Sequence, residues 1–546
     1  MKYFKWMFTI LVALFLWGCV SGKPFAPVEY TPQEMTYSPT EGFRQSTPEE
    51  QGMDSAILQK MIIFYEKEQE KNKEVDIDSI HIIRNGYLVA DLYFDPLYPQ
   101  DYPHIIHSCT KSIMSALIGI AIDKGYIQGV DQQVVSFFPK KNQTSMDPRI
   151  DELTIKDLLT METGMRSLDS FLFGYTGIFE IQKSDDWVQY FLNLPIDVEP
   201  GIRFDYSNLS SFMLSAIIMK STGQDTLSFA YQNLFDPLGI TDVTWENNPQ
   251  GIGIGWARMW LKPHDMAKFG MLYLQKGKWG NVQLISESWI EDSLTANAFP
   301  KEYHDVLNAE GIKDNELSKN KWVGYNLFKP FTDGYGYQWW LDKSGEYTAL
   351  GTGGQFIIVS PLNNLVVVIT SQSQGLGSFF PSELYSKYIK NAVKSDSPLA
   401  ENEEALNYLM LYQNPPEIEL EHKQVQTYPD VTTEVSGILY KLNENNWDYD
   451  NFTFDFLSDS NSVILSYTTG DSGIISYSVG LDNLYHFTDT EKGRYAAKGH
   501  WIDESTFEIS YQLIGYSVPG TWVITFLDNE IQIIERGVTG EYEYSG

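Results

Sequence analysis

The sequence predicts an α+β fold: an antiparallel sheet flanked by helices, a helical subdomain, and a separate C-terminal all-β sandwich or barrel. Three observations predict it. Two β-rich hairpins lie far apart, at "IDSIHIIRNGYLVADLYF" and "EYTALGTGGQFIIVSPLNNLVVVITS". Helical segments dominate between them, from residue 108 to about 240. After about residue 430, short alternating runs follow one another, split by Asp, Asn, Gly and Ser. The first hairpin turns at Asn85-Gly86, the residues a type I′ turn wants. The second turns at Pro361-Leu362-Asn363-Asn364. The simplest topology pairs both hairpins in one sheet and sets the helices against it. A chain of 546 residues is too long for one typical core, so two or three domains are expected.

The start, "MKYFKWMFTILVALFLWGC", reads as an export signal over residues 1–19. Lys2 and Lys5 precede an apolar core too short for a spanning helix. Its end, Leu16-Trp17-Gly18-Cys19, resembles the lipobox of bacterial lipoproteins, although Trp17 is unusual there. That resemblance implies lipidation at Cys19 and a membrane-anchored protein of the bacterial cell envelope, on the periplasmic or surface side. Residues 20–45 are rich in Pro, Ser, Thr and Glu and read as a tether. "TPEEQGMDSAILQKMIIFYEKEQE" then opens a capped helix and the main domain, assigned to residues 46–395. Residues 396–428 are polar and contain prolines, so they read as a linker, with a short helix from Glu403. Residues 429–546 form the β-rich domain, carried by "NFTFDFLS", "SVILSYTT", "GIISYSVG", "TFEISYQL", "TWVITFLD" and "EIQIIER". No fixed-period repeat is present.

Composition bounds the function. Hydrophobic residues at 43% and charged residues at 20% describe a globular chain. A net charge of −33 argues against nucleic-acid binding, which needs a basic footprint. It names no substrate, and the sequence does not reveal the oligomeric state. With Cys19 lipidated, Cys109 has no disulfide partner, and it reads as a small apolar filler rather than a thiol nucleophile. The eight histidines form no HExxH or comparable ligand cluster.

The chemistry centres on "HIIHSCTKSIMSALIGIAIDKGYI". Ser108 stands three residues before Lys111, at the start of an apolar helix. A serine hydroxyl is a weak nucleophile until an adjacent base takes its proton. Residues three apart share a helix face, so the Lys111 amine can approach the Ser108 oxygen. Ser108 near the helix N-terminus also keeps its own N–H outside the helical bonds, where it can face an oxyanion. A second Ser-x-x-Lys, Ser318 to Lys321, lies in polar sequence with no apolar helix after it. Tyr206-Ser207-Asn208 follows a Pro-Gly turn and precedes an amphipathic helix. A tyrosine hydroxyl there can relay protons, and Asn208 can bond the lysine and a substrate carbonyl. Tyr-x-Asn recurs at Tyr231, Tyr412 and Tyr449 without that context. The third element is "GTGGQFIIV", where glycines let a ligand lie along the backbone.

These elements, in this order, resemble the penicillin-recognising serine hydrolases: class C β-lactamases, D-Ala-D-Ala carboxypeptidases, family VIII esterases and 6-aminohexanoate-dimer hydrolases. "YIQGVDQQVVSFFP", "LTIKDLLTMETGM" and "KPHDMAKFGMLYLQKGKWGNVQLISESWI" resemble the family's connecting segments, so the likeness covers roughly residues 46–392. It implies a β-lactamase/transpeptidase-like fold with no metal and no organic cofactor. It implies Ser108 as acylated nucleophile, Lys111 as base and Tyr206 as proton relay. It implies an oxyanion hole from the Ser108 N–H and one N–H of the third element, Gln355 or Gly354, with Gln355 favoured. Asn208, Thr352, Gly353 and Gly354 are the expected substrate contacts. One departure matters. The family's usual Lys or His before Thr-Gly is absent; Thr352 has only Gly351 beside it. A threonine offers no charge for a substrate carboxylate. The expectation is therefore a small ester or amide as substrate. The alternatives are a β-lactamase or D-Ala-D-Ala carboxypeptidase, and a non-catalytic lipoprotein binding module on the same scaffold. His104 and His107, just before the nucleophile, either supply positive charge or are structural.

Overall fold

The structure is a computed structural model. It describes residues 25–546 except 34, 36, 139–146, 166–175, 301–332, 417–427, 446–448, 457–460, 471–472, 517–518, 528–529 and 538–539. The expected export signal, Cys19 and the second Ser-x-x-Lys match lie outside the described residues.

Helix α1 (Ser55–Lys71) starts at Asp54, whose side chain accepts from the Ala56 N–H. Strands β1 (Ile77–Arg84) and β2 (Tyr87–Tyr93) form the first hairpin. Its turn has φ of 53° at Asn85 and 82° at Gly86, as a type I′ turn requires. Helices α2 (Cys109–Asp123), α3 (Asn208–Thr222) and α4 (Pro263–Leu274) belong to the helical middle. Strands β3 (Gly334–Tyr335), β4 (Trp340–Leu341), β5 (Tyr347–Gly351), β6 (Gln355–Ser360) and β7 (Leu365–Ser371) complete the domain's sheet. Its order is β2-β1-β7-β6-β5-β4-β3, and every pairing is antiparallel.

The two hairpins meet as expected: Ile80 pairs with Ile369 and Ile82 with Val367. Every residue of β1, β6 and β7 is buried, so both sheet faces are covered. On one face Ile83, Ile357, Val359, Val366 and Val368 pack with α2, α3 and α4. On the other, Ile80, Ile82, Ile358, Val367 and Ile369 pack with α1 and the helical segment Phe380–Ala392. Burying each such side chain stabilises the fold by roughly 1.5–3 kcal/mol. Helix α2 is thereby clamped between sheet and helical subdomain.

Two stretches expected to be loose carry tertiary contacts. From Phe25 onward the N-terminal segment runs along the domain as a strap. Tyr30 Oη donates to the Leu274 carbonyl at 2.9 Å, and Trp279 Nε1 donates to Thr40 Oγ1 at 2.9 Å. A few aromatic anchors hold a segment whose composition reads as a tether. Helix α5 (Glu403–Met410) starts as expected and buries Leu409 in the core beneath α1. No helix among the described residues is long and apolar enough to cross a membrane.

The C-terminal domain is one ten-stranded sheet curled into a half-barrel. Its first and last strands meet where the Asn443 N–H donates to the Ser545 carbonyl at 2.8 Å. Strands Ser462–Thr469 and Thr506–Leu513 coincide with the runs read from the sequence. Their inward residues, with Phe452, Phe454, Tyr477, Trp501 and Trp522, fill the interior with aromatics. Much of the chain's aromatic content thus serves a core. The half-barrel docks on the hydrolase domain through Tyr93, Leu97, Tyr98, Ala496 and Ile514.

Candidate active site

Ser108 stands at the N-cap of α2 with φ −67° and ψ −7°. A serine there usually caps the helix with its side chain. Ser108 makes no such bond, so its hydroxyl is available for another partner. That partner is Lys111, whose Nζ lies 3.0 Å from Ser108 Oγ. The preceding residue, His107, is held at φ 44°, a conformation a side-chain-bearing residue adopts only when its surroundings enforce it. The turn aims the serine.

Lys111 is 1% exposed. Its amine also bonds Asn208 Oδ1 at 2.6 Å and the Trp256 carbonyl at 3.1 Å. All three oxygens are uncharged. Burying an amine requires partners for its polar atoms, and these oxygens supply them. The Tyr206 ring lies beside the same amine, with its centroid 4.8 Å from Lys111 Nζ. Tyr206 is fixed by stacking on Trp340, centroids 5.8 Å apart.

The Tyr206-Ser207-Asn208 geometry follows from local rules. Ser207 is extended, with φ −128° and ψ 119°, and its side chain caps α3 by accepting from the Ser210 N–H. In extended backbone, residues two apart point to the same side. Tyr206 and Asn208 therefore both face Lys111 while Ser207 turns away to cap. Upstream, the Asp205 N–H donates to the Met161 carbonyl at 2.8 Å and holds the loop.

The third element lies beside the turn that precedes Ser108. Gly351 is so close to Ile106 that an added Cβ would sit 2.4 Å from the Ile106 carbonyl oxygen. Cys109 Sγ donates to the Gln355 carbonyl at 3.4 Å. Gly353 and Gly354 turn between β5 and β6 with φ 83° and 90°, and the Gly354 N–H donates to Gly351 O at 3.2 Å. Thr352 is exposed at the tip. The Gln355 side chain is bonded to the backbone of Ser371 in β7.

The flanking residues divide cleanly. Burial, with the nearby Arg258 charge, pushes the His107 imidazole down to about 3, so it is neutral. His104 bonds Asp78 Oδ2 at 2.7 Å and is committed to the core. Burial pushes the Cys109 thiol well above its ordinary value, which leaves no thiolate for catalysis. Among the described residues, metal-ligating atoms gather only at His81, Asp91 and His264, within 4.8 Å of one another. Asp91 Oδ1 bonds His81 Nδ1 at 2.6 Å and His264 Nε2 at 3.1 Å. These two acidic neighbours, Asp91 and Asp101, raise His264 to about 10, and the group reads as a buried ion-pair network.

Sequence reasoning missed the Trp256 carbonyl and the Trp340 platform. A backbone carbonyl has no residue-type signature, and one tryptophan among fourteen is silent until the fold selects it.

A serine hydroxyl beside a buried lysine amine, set on a helix against an antiparallel sheet, fits one class: the chain is a serine hydrolase. The family model described as Beta-lactamase matches residues 66–387. The chain belongs to that family. It is similar to the 6-aminohexanoate-dimer hydrolase of Paenarthrobacter ureafaciens, 20% identical over 315 residues, which are 55% of this chain and 74% of that protein. Among solved structures it is similar to the octameric penicillin-binding protein homologue from Pyrococcus abyssi, with TM-score 0.47 and 16% identity over 89% of this chain and 99% of that one. It is also similar to simvastatin synthase from Aspergillus terreus, with TM-score 0.44 and 15% identity over 62% of this chain and 98% of that one.

Proposed function

We propose that the protein hydrolyses a small ester or amide through an acyl-enzyme on Ser108. The observation that carries this reading is the Ser108 hydroxyl, not used for capping, 3.0 Å from the buried Lys111 amine. Lys111 in its neutral form takes the Ser108 proton as Oγ attacks the acyl carbon. The Ser108 N–H and a second N–H hold the developing oxyanion. Gln355 is favoured as that second donor, since the Gly354 N–H already closes the turn onto Gly351. Tyr206 passes a proton to the leaving oxygen or nitrogen. Water then attacks the acyl-enzyme, and Ser108 regains its proton. Asn208 orients Lys111; Thr352, Gly353 and Gly354 line the substrate's path along the strand edge.

The test is covalent labelling with a fluorophosphonate probe, followed by mass mapping. An adduct on Ser108, with turnover of p-nitrophenyl esters, is the expected result. No adduct on Ser108 would refute the assignment and favour a binding module. We also propose export and lipidation at Cys19; labelled fatty acid should enter the wild type and not Cys19→Ala.

A further inference from the structure

The missing cation at the third element leaves open how a charged substrate is recognised. A different cation lies beside the nucleophile turn. Arg258 is half-buried and held at φ 63°. Two residues earlier, the Trp256 carbonyl touches Lys111 at 3.1 Å. One residue later, the Met259 carbonyl accepts from the Ile106 N–H at 2.9 Å. The Arg258 charge also reaches His107, the neighbour of Ser108. Arg258 is thus fastened on both sides to the catalytic turn.

Its own partner comes from the other domain. Arg258 Nη1 donates to Tyr516 Oη at 2.6 Å. Tyr516 stacks on Trp260, with centroids 6.0 Å apart. In the same half-barrel loop the Gly515 carbonyl accepts from the Ile105 N–H at 2.7 Å. Carboxylates are plentiful in this chain, with 72 Asp and Glu against 39 Lys and Arg. Arg84, Arg149, Arg203, Arg494 and Arg536 each have one within 2.6–3.6 Å. Arg258 touches none among the described residues. A phenol is a neutral partner that satisfies one N–H, and the Glu246 carboxylate acts on the guanidinium only through space, without a direct contact. A guanidinium positioned this way is suited to a planar anion.

We propose that Arg258, held by Tyr516 of the half-barrel domain, recognises a carboxylate on the substrate. The proposal rests on the Ser108 reading and names the substrate class: esters or amides carrying an acidic group. It also gives the C-terminal domain a task, which is to build one wall of the site. Tyr516 is a positioning residue.

The full chain is compared as wild type, Arg258→Gln, Arg258→Lys and Tyr516→Phe. Two substrate pairs differ by one carboxylate: p-nitrophenyl hemiglutarate against p-nitrophenyl butyrate, and 4-acetoxybenzoate against phenyl acetate. In the wild type the acidic member of at least one pair has the higher kcat/KM. Arg258→Gln lowers that acidic-to-neutral ratio about tenfold or more, mainly through KM. Tyr516→Phe lowers it about threefold, and Arg258→Lys restores part of it. Ratios unchanged in both pairs, with Ser108 still labelled by fluorophosphonate, would overturn the proposal alone. A wild type that takes no label overturns the parent reading instead.

Discussion

The hydrolase domain and the half-barrel follow different rules. In the half-barrel, alternation decides almost everything: inward residues are aromatic or aliphatic and outward ones polar. Its backbone is relaxed, with Asn483 its one non-glycine residue at positive φ among the described residues. The hydrolase domain holds eight, and four of them surround the site. His107 precedes Ser108, Met161 holds the Tyr206 loop, and Arg258 follows the turn that carries Trp256. The Gln338 carbonyl accepts from Ser112 on α2. Strain that a pure core would avoid is concentrated where a geometry has to be enforced.

The sharpest break of that contrast is chemical. Ser108→Ala and Lys111→Ala should each lower p-nitrophenyl ester turnover at least about thousandfold. Turnover within a few-fold of wild type in either variant would remove the site from its place. Trp522→Ala in the half-barrel should instead act on stability. Truncating so large a core aromatic costs about 3–5 kcal/mol, read as a lower melting temperature, while Ser108 stays reactive to the probe in the cold. Leu409→Ala tests the segment read as a linker. Losing a buried leucine should cost about 2–5 kcal/mol, whereas a true linker residue would cost nothing measurable.

Gly354→Ala probes the strained side. Its φ of 90° and an added Cβ only 2.8 Å from Ser371 Oγ should cost about 1–3 kcal/mol and blunt turnover. The smallest effect concerns pH. Burial beside Asp78 raises the Asp95 carboxyl to about 6, where Gln372 and Gln512 bond it. The folded state therefore holds this proton more tightly than the unfolded chain, whose aspartates titrate near 3.9. The contribution is full below pH ~4 and is lost as pH rises through about 6. The wild-type melting temperature should fall between pH 4.5 and pH 7.5 by more than that of Asp95→Asn. Parallel curves would show that Asp95 is not the group responsible.

Much of this was legible in residues. Asn85-Gly86 marked its hairpin because only that turn type wants two positive φ values in succession. Ser108 and Lys111 were legible because a lysine inside an apolar helix needs a reason. Tyr206 was legible only through its neighbours, a Pro-Gly turn and a helix cap. The strap from Phe25 was not legible, because its polar composition conceals Tyr30 and Thr40 until their partners at Leu274 and Trp279 arrive from far along the chain. Arg258 and Tyr516 were silent for the same reason: 258 positions separate them.

The sequence by itself determined the elements, the two hairpins, the alternating tail and the residue types able to do acyl chemistry. Periodicity, capping and turn preference are local, so neighbouring residues suffice to express them. Only the tertiary structure decided which carbonyl receives the Lys111 amine, which side chain steadies Tyr206, and that the half-barrel reaches the segment just before Ser108. Those are contacts between distant segments, and they exist only once the sheet and both domains have closed around them.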